Sequence, residues 1–123
     1  MIIGIGCDIV QIPRIQQIYN VSRDRFLNRI FSELELEQFP HISGIESFIA
    51  KRYAAKEAFS KAVGHGIGAI FRFKDIEVFK DIKSGKPYFS QQTLQKVGKN
   101  VVGYLSISDD YPTAIAYVIL QSV

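Results

Sequence analysis

Two carboxylates and a run of cations are the residues in this chain best suited to chemistry. Asp8 follows a β-branched stretch, Ile2, Ile3 and Ile5, interrupted by Gly4 and Gly6. A carboxylate at the end of such an apolar strand has little reason to be buried. It suits a helix N-cap or turn. It equally suits a hard-cation ligand, because Mg²⁺ takes one or two protein carboxylates and completes its shell with water and phosphate oxygens. Glu57 stands among Lys51, Arg52, Lys56 and Lys61. Glu57 and Lys61 have the favourable i, i+4 order of an ordinary surface pair. Several cations around one carboxylate, with small alanines between them, also suit a polyphosphate carrying a metal. Gly64, Gly66 and Gly68 follow directly. They read as a helix exit and tight turn, or as a loop whose backbone N–H groups can approach phosphate oxygens.

Other motifs fail on inspection. Gly4-Ile5-Gly6 lacks the third glycine of a dinucleotide fingerprint, and the Gly64 to Gly68 run follows a helix instead of opening one. His41 and His65 have no serine or cysteine at motif spacing, so a hydrolase triad is unsupported. Cys7, the one cysteine, excludes an internal disulfide and a multi-thiolate metal site. It reads as a small core residue.

The elements that must hold these residues fit one α+β domain spanning 1–123. A length of 123 residues suits a single domain, and 47% hydrophobic content with 9 Phe and 6 Tyr supplies its core. Disorder is excluded. A net charge of +3 favours acidic partners without the dense basic stripe of a nucleic-acid module. No apolar run reaches a membrane-spanning length of about 18 residues. The apolar start lacks the basic leader of a signal peptide. These features predict a soluble cytoplasmic protein that binds neither membrane nor nucleic acid.

Met1 to Asp8 reads as a buried strand, its glycines marking a place where something approaches the backbone. Pro13 opens a helix carrying Ile12, Ile15 and Ile18, and a second short helix covers Asp24 to Phe31. Ser32 and Glu35 have capping-box spacing and open a third helix, with Leu36 and Phe39 inward, which Pro40 ends. The clearest helix runs from Glu46 to Val63 and turns Phe48, Arg52, Ala55, Phe59 and Ala62 to one face, with Ala54 and Ala58 beside it. Phe71 to Phe79 and Lys86 to Phe89 read as strands joined through Ser84-Gly85. A helix over Gln91 to Val97 follows. Val101 to Ser108 and Thr113 to Leu120 then form a hairpin around Asp109-Asp110-Tyr111-Pro112, so an antiparallel sheet packs against the long helix.

Taken together, the segments resemble the holo-acyl-carrier-protein synthases, the small 4′-phosphopantetheinyl transferases. GIGCDIVQIPRI, Gly4 to Ile15, is similar to that family's Gly-Ile-Gly-x-Asp opening followed by Arg-Ile. FIAKRYAAKEAFSKAVGHGIG, residues 48–68, looks like its second signature. Ser84 to Tyr88 resembles its hairpin, and Leu105 to Ser108 its final motif. The resemblance covers essentially the whole chain, in order.

It implies attack of a serine hydroxyl of apo acyl carrier protein on the β-phosphate of coenzyme A, in support of fatty acid biosynthesis. It further implies that Asp8 and Glu57 hold Mg²⁺. Lys61 would balance charge on the phosphate, and Glu57, through a metal-bound water, is the candidate base. Arg52, Lys56, Gly64, His65, Gly66, Gly85 and Pro87 would surround the coenzyme A, and Arg14 would face the carrier protein. A homotrimer with clefts at subunit interfaces is expected. Two positions depart from the pattern: Asp109 stands where a histidine is usual, and His65 where a threonine is usual. Asp109 either serves the turn that follows or meets a nearby cation such as a lysine or arginine of another subunit. The rival readings are a non-catalytic coenzyme A or carrier-protein binding module and a small basic nucleic-acid-binding domain.

Overall fold

A computed structural model describes residues 1–68 and 70–123. In chain order they form β1 (Ile2–Gln11), α1 (Ile12–Ile30), α2 (Glu33–Glu37), α3 (Ile45–Val63), a 3₁₀ turn (Phe73–Asp75), β2 (Val78–Lys80), β3 (Pro87–Phe89), α4 (Gln91–Gln95), β4 (Val101–Asp110) and β5 (Thr113–Ser122). The main sheet is antiparallel in the order β1-β5-β4, and β2 with β3 forms a separate two-stranded hairpin. The α+β reading holds.

The glycines of β1 decide where α3 lies. A Cβ added at Gly4 would sit 1.8 Å from the Ala62 carbonyl oxygen, and one at Gly6 1.8 Å from that of Ala58. The helix therefore rests its backbone on the strand, and small Ala54, Ala58 and Ala62 let it do so. The approaching partner expected at these glycines is the chain's own long helix. Behind α3, the fully buried Phe59 packs against Phe71 and Phe89, with ring centroids 5.4 and 4.8 Å away. Phe31, Phe39 and Phe48 form a second aromatic cluster where α2 meets α3.

Several boundaries differ from expectation. The two helices expected between Ile12 and Phe31 run together, with a break where Ser22 leaves helical geometry (φ −139°, ψ 48°). The strand expected over Phe71 to Phe79 is a 3₁₀ turn followed by the short β2. Phe71 and Phe73 are buried with Arg72 exposed between them, which imitates a strand's period. The run then buries Ile76, Glu77 and Val78 in succession, and Arg72 and Asp75 cap the turn reciprocally. β1 is not fully buried: Gly4, Gly6, Asp8 and Val10 face α3, while Ile5 and Ile9 on the other face are each 62% exposed. Asp109 and Asp110 belong to β4, paired with Ala114 and Thr113, so the connecting turn is reduced to Tyr111-Pro112.

Candidate functional site

The first cluster forms where β1 passes the C-terminal half of α3. One step beyond Gly6 on the same strand face stands Asp8, and its Oδ1 accepts a hydrogen bond from Lys61 Nζ at 2.9 Å. Lys61 also donates to the Cys7 carbonyl at 3.1 Å. That bond to Asp8 raises the Lys61 pKa, so the ammonium is secure at neutral pH. Glu57, one turn earlier on α3, is half-buried. Burial first, and then the Asp8 charge, push its carboxyl above the usual range, while Lys61 and Arg14 pull it back. Asp8, Glu57, Lys61 and Arg14 thus share one electrostatic neighbourhood.

Tyr53 belongs to that neighbourhood and was not expected there. Its phenol is raised by burial and then by Glu57, and it also feels Arg14 and Asp8. The i, i+4 spacing of Tyr53 and Glu57 is the sequence signal that points to it. Among the described residues no group of three or more metal-ligating side chains forms. The available donors are two carboxylates, which is the complement a hard cation takes from protein when phosphate oxygens supply the rest.

At the exit of α3, Gly64 is a left-handed C-cap (φ 98°) whose N–H bonds to the carbonyls of Ser60 and Lys61. The helix-exit reading of Gly64 is therefore correct. Ser60 Oγ donates to the His65 carbonyl and pins the loop. Gly66 has neither a positive φ nor an atom within 4 Å of where its Cβ would sit. Among the described residues nothing in the packing demands a glycine there.

The second cluster lies across α3. Arg52, Gly85 and Pro87 line a cleft of about 390 Å³ together with Lys51 and Lys80. Arg52 donates to the Val78 carbonyl, and its guanidinium stands 4.8 Å from the Phe48 ring centre. Gly85 shapes the hairpin: its φ of 75° favours glycine, and its N–H closes onto the Asp81 carbonyl at 2.8 Å. Lys51, named among the cations of the helix but given no role, lines the cleft too, and Lys80 adds a cation that the sequence reading did not name. Lys51 is 3.6 Å from Asp109 Oδ1. Of the two readings open to Asp109, a turn role and a meeting with a cation, the second is found, with a lysine of its own chain at the cleft's edge.

Lys56 is not where it was expected. It is fully buried, and its ammonium donates to Glu35 Oε1 at 2.6 Å, Ile30 O at 2.7 Å and Phe73 O at 3.0 Å. All three donors are used, so none remains for a phosphate. Burial lowers its pKa to about 8, against the opposing pull of Glu35.

The two clusters do not face each other. Nine positions separate Arg52 from Lys61, which places them about half a turn out of phase around α3. Arg52 points to the hairpin and Lys61 to β1.

Residues 4–116 match the model of the 4′-phosphopantetheinyl transferase superfamily. The chain is 41% identical over 125 residues to a holo-[acyl-carrier-protein] synthase of Vesicomyosocius okutanii, covering 98% of each. It is similar to the crystal structure of a holo-(acyl-carrier-protein) synthase from Bacillus anthracis in complex with CoA (3′,5′-ADP), at 40% identity and a TM-score of 0.84 over 100% of this chain and 99% of that one. It is similar also to the synthase of Neisseria meningitidis, at 38% identity and a TM-score of 0.86 over 99% of this chain and 100% of that one. An α3 backbone seated on strand glycines, with an Asp, a Glu and a Lys gathered beside it, is the setting of those family motifs, and the chain belongs to the 4′-phosphopantetheinyl transferase superfamily, among its holo-[acyl-carrier-protein] synthases.

Proposed function

We propose that this chain transfers 4′-phosphopantetheine from coenzyme A to a serine of apo acyl carrier protein. The observation that carries the reading is the meeting of Asp8, Glu57 and Lys61, from two elements held backbone to backbone. The serine oxygen attacks the β-phosphorus of coenzyme A. A P–O bond forms, the pyrophosphate P–O bond breaks, and adenosine 3′,5′-bisphosphate leaves. In such a reaction most of the catalysis is positioning and charge neutralisation.

Asp8 and Glu57 would hold Mg²⁺, which supplies charge neutralisation at the pyrophosphate when bound. Lys61 contributes a fixed positive charge beside Asp8. Glu57 would take up the serine proton by way of a water molecule. In the Gly64-His65-Gly66 loop the first two N–H groups bond to the Ser60 carbonyl, and Gly66 offers its own N–H without a side chain in the way. Arg52, Gly85 and Pro87 take the nucleotide end in the cleft. Exposed Arg14 faces the carrier protein, and an acidic partner surface suits it.

A homotrimer with shared clefts accounts for two further features. The outer face of the main sheet exposes Ile5, Ile9 and Tyr117, an apolar surface suited to burial between subunits. The catalytic cluster and the nucleotide cleft occupy opposite faces of α3, so a second copy can bring one chain's cleft to another's carboxylates. The chain has no helix long and apolar enough to cross a membrane among its described residues. We place its activity in the cytoplasm, where fatty acid biosynthesis would use it.

Incubation with apo carrier protein, coenzyme A and Mg²⁺, read by mass spectrometry, tests the reaction. Phosphopantetheine on the serine is the expected result. Binding of both partners without a mass gain makes the chain a non-catalytic module, and salt-sensitive RNA binding in place of either makes it a nucleic-acid domain.

A further inference from the structure

The hairpin that brings Lys80, Gly85 and Pro87 to the cleft belongs to a sheet of its own, separate from β1, β5 and β4. Strand pairing with the main sheet therefore does not set its distance from α3. Apolar packing, with Phe89 of β3 against Phe59 of α3 at 4.8 Å, and buried polar links do. Glu35 Oε2 accepts from Val78 N at 3.1 Å, while Oε1 accepts from Ser32 N at 3.0 Å and Lys56 Nζ at 2.6 Å. Arg52 of α3 donates to the carbonyl of the same Val78. At the hairpin's root, Glu77 N donates to Thr93 Oγ1 at 2.9 Å, and the Glu77 carboxylate accepts from Ser32 Oγ at 2.7 Å and Ser90 Oγ at 3.1 Å.

Glu35 is 5% exposed and Lys56 0%, so these bonds form where water cannot replace them. Ser32 and Glu35 are also the two halves of the α2 capping box. One carboxylate thereby ties α2, α3 and β2 together. It borders the cleft, yet its oxygens are engaged with internal donors.

We propose that Glu35, held by Lys56, is a positioning residue for coenzyme A: it fixes the β2–β3 hairpin against α3 and so sets the shape of the nucleotide cleft. The inference rests on the reading of that cleft as the coenzyme A site. The reacting groups lie on the opposite face of α3, so the effect belongs to substrate binding and not to the chemical step.

Glu35→Gln removes the hairpin bond and, with the carboxylate's charge, the counter-ion of buried Lys56. If the amide oxygen stays on Lys56 and Ser32 N, the NH₂ group meets Val78 N, donor against donor. The flipped amide would press its NH₂ against the Lys56 ammonium, which is worse. The helix cap and the lysine therefore keep their acceptor while the hairpin loses its own. Loss of this bond should raise the coenzyme A KM about tenfold, with kcat and the carrier-protein KM within about threefold of wild type. Amide exchange across residues 78–89 should quicken. Thr93→Val removes the Glu77 acceptor from outside the cleft and should raise the same KM about threefold.

A folded Glu35→Gln with an unchanged coenzyme A KM overturns the proposal, as does a fall in kcat equal to the rise in KM. Should that variant not fold, Glu35→Asp, which keeps the charge beside Lys56 and shortens the reach to Val78 N, decides by the same split. Arg52→Ala separates the two readings. A raised coenzyme A KM there, beside a normal one in Glu35→Gln, keeps the cleft as the nucleotide site and removes the role of Glu35. No change in either variant removes both.

Discussion

Helix α3 supports two clusters on opposite faces, and they are built by different means. Toward β1 the contact is backbone on backbone, with Gly4 and Gly6 beneath the carbonyls of Ala62 and Ala58. Toward the hairpin, long charged side chains cross the gap: Lys56 to Glu35, and Arg52 to Val78. The first contact has no freedom to adjust, because close-packed main chain cannot change rotamer. It suits Asp8, Glu57 and Lys61, whose chemistry tolerates little displacement. The second adds to the packing of Phe89 on Phe59 a set of directional bonds that can be lost one at a time. It suits a cleft that must grip a large nucleotide and release it.

That contrast can be broken at either end. The largest effect should come from the carboxylates themselves. Asp8→Asn and Glu57→Gln should each lower turnover roughly 10³-fold at saturating Mg²⁺, since each removes a full charge from the reacting centre. Circular dichroism and thermal melting should be unaltered, as both side chains lie at the edge of the core. Near-normal turnover in either variant would detach that residue from the site.

Gly6→Ala attacks the scaffold instead. Its new methyl would have to displace the Ala58 carbonyl, a contact no rotamer change can relieve, and overpacking of this kind costs about 3 kcal/mol. A melting temperature lower by roughly 10 °C is expected. Turnover should fall with it, while coenzyme A binding in the cleft, measured by calorimetry on the folded fraction, should fall less. Equal loss at both faces would show that the two clusters are one mechanical unit.

Arg14→Ala tests the partner surface beside the first cluster. The carrier-protein KM should rise about tenfold at low salt and less at high salt, with the coenzyme A KM nearly constant, because an exposed charge mainly steers encounter. A salt-independent KM would return Arg14 to the solvated surface.

The smallest effect is expected at the cleft's edge. Lys51 and Asp109 are each about one-third exposed, at 34% and 36%, and surface pairs of this sort contribute about 0–1 kcal/mol. Asp109→His frees Lys51 and adds a possible phosphate donor. Stability should stay nearly constant, and coenzyme A should bind equally well or up to about fivefold tighter. Loss of activity in a folded Asp109→His would give Asp109 a specific task in the site.

Much of this was legible in the residues alone. The Ser32–Glu35 capping box, the long helix with its alanine face, the close approach at Gly4 and Gly6, and the carboxylate after them all follow from local rules of spacing and shape. So did Asp8, Glu57 and Lys61 as a group, through their resemblance to family motifs. What the sequence could not decide was which cations meet solvent. Lys56 and Lys61 stand five positions apart on one helix, yet one is fully buried and the other about half exposed. A lysine's place depends on whether a carboxylate distant in sequence reaches it, and Glu35 lies 21 positions away. Asp109 stayed open between a turn and a cation for a related reason: its residue type favours turns, but the register of β4 against β5 carries it into a strand beside Lys51. Local propensity writes the elements; long-range pairing of charge and register, which no short window contains, decides which side chains are left free to meet a ligand.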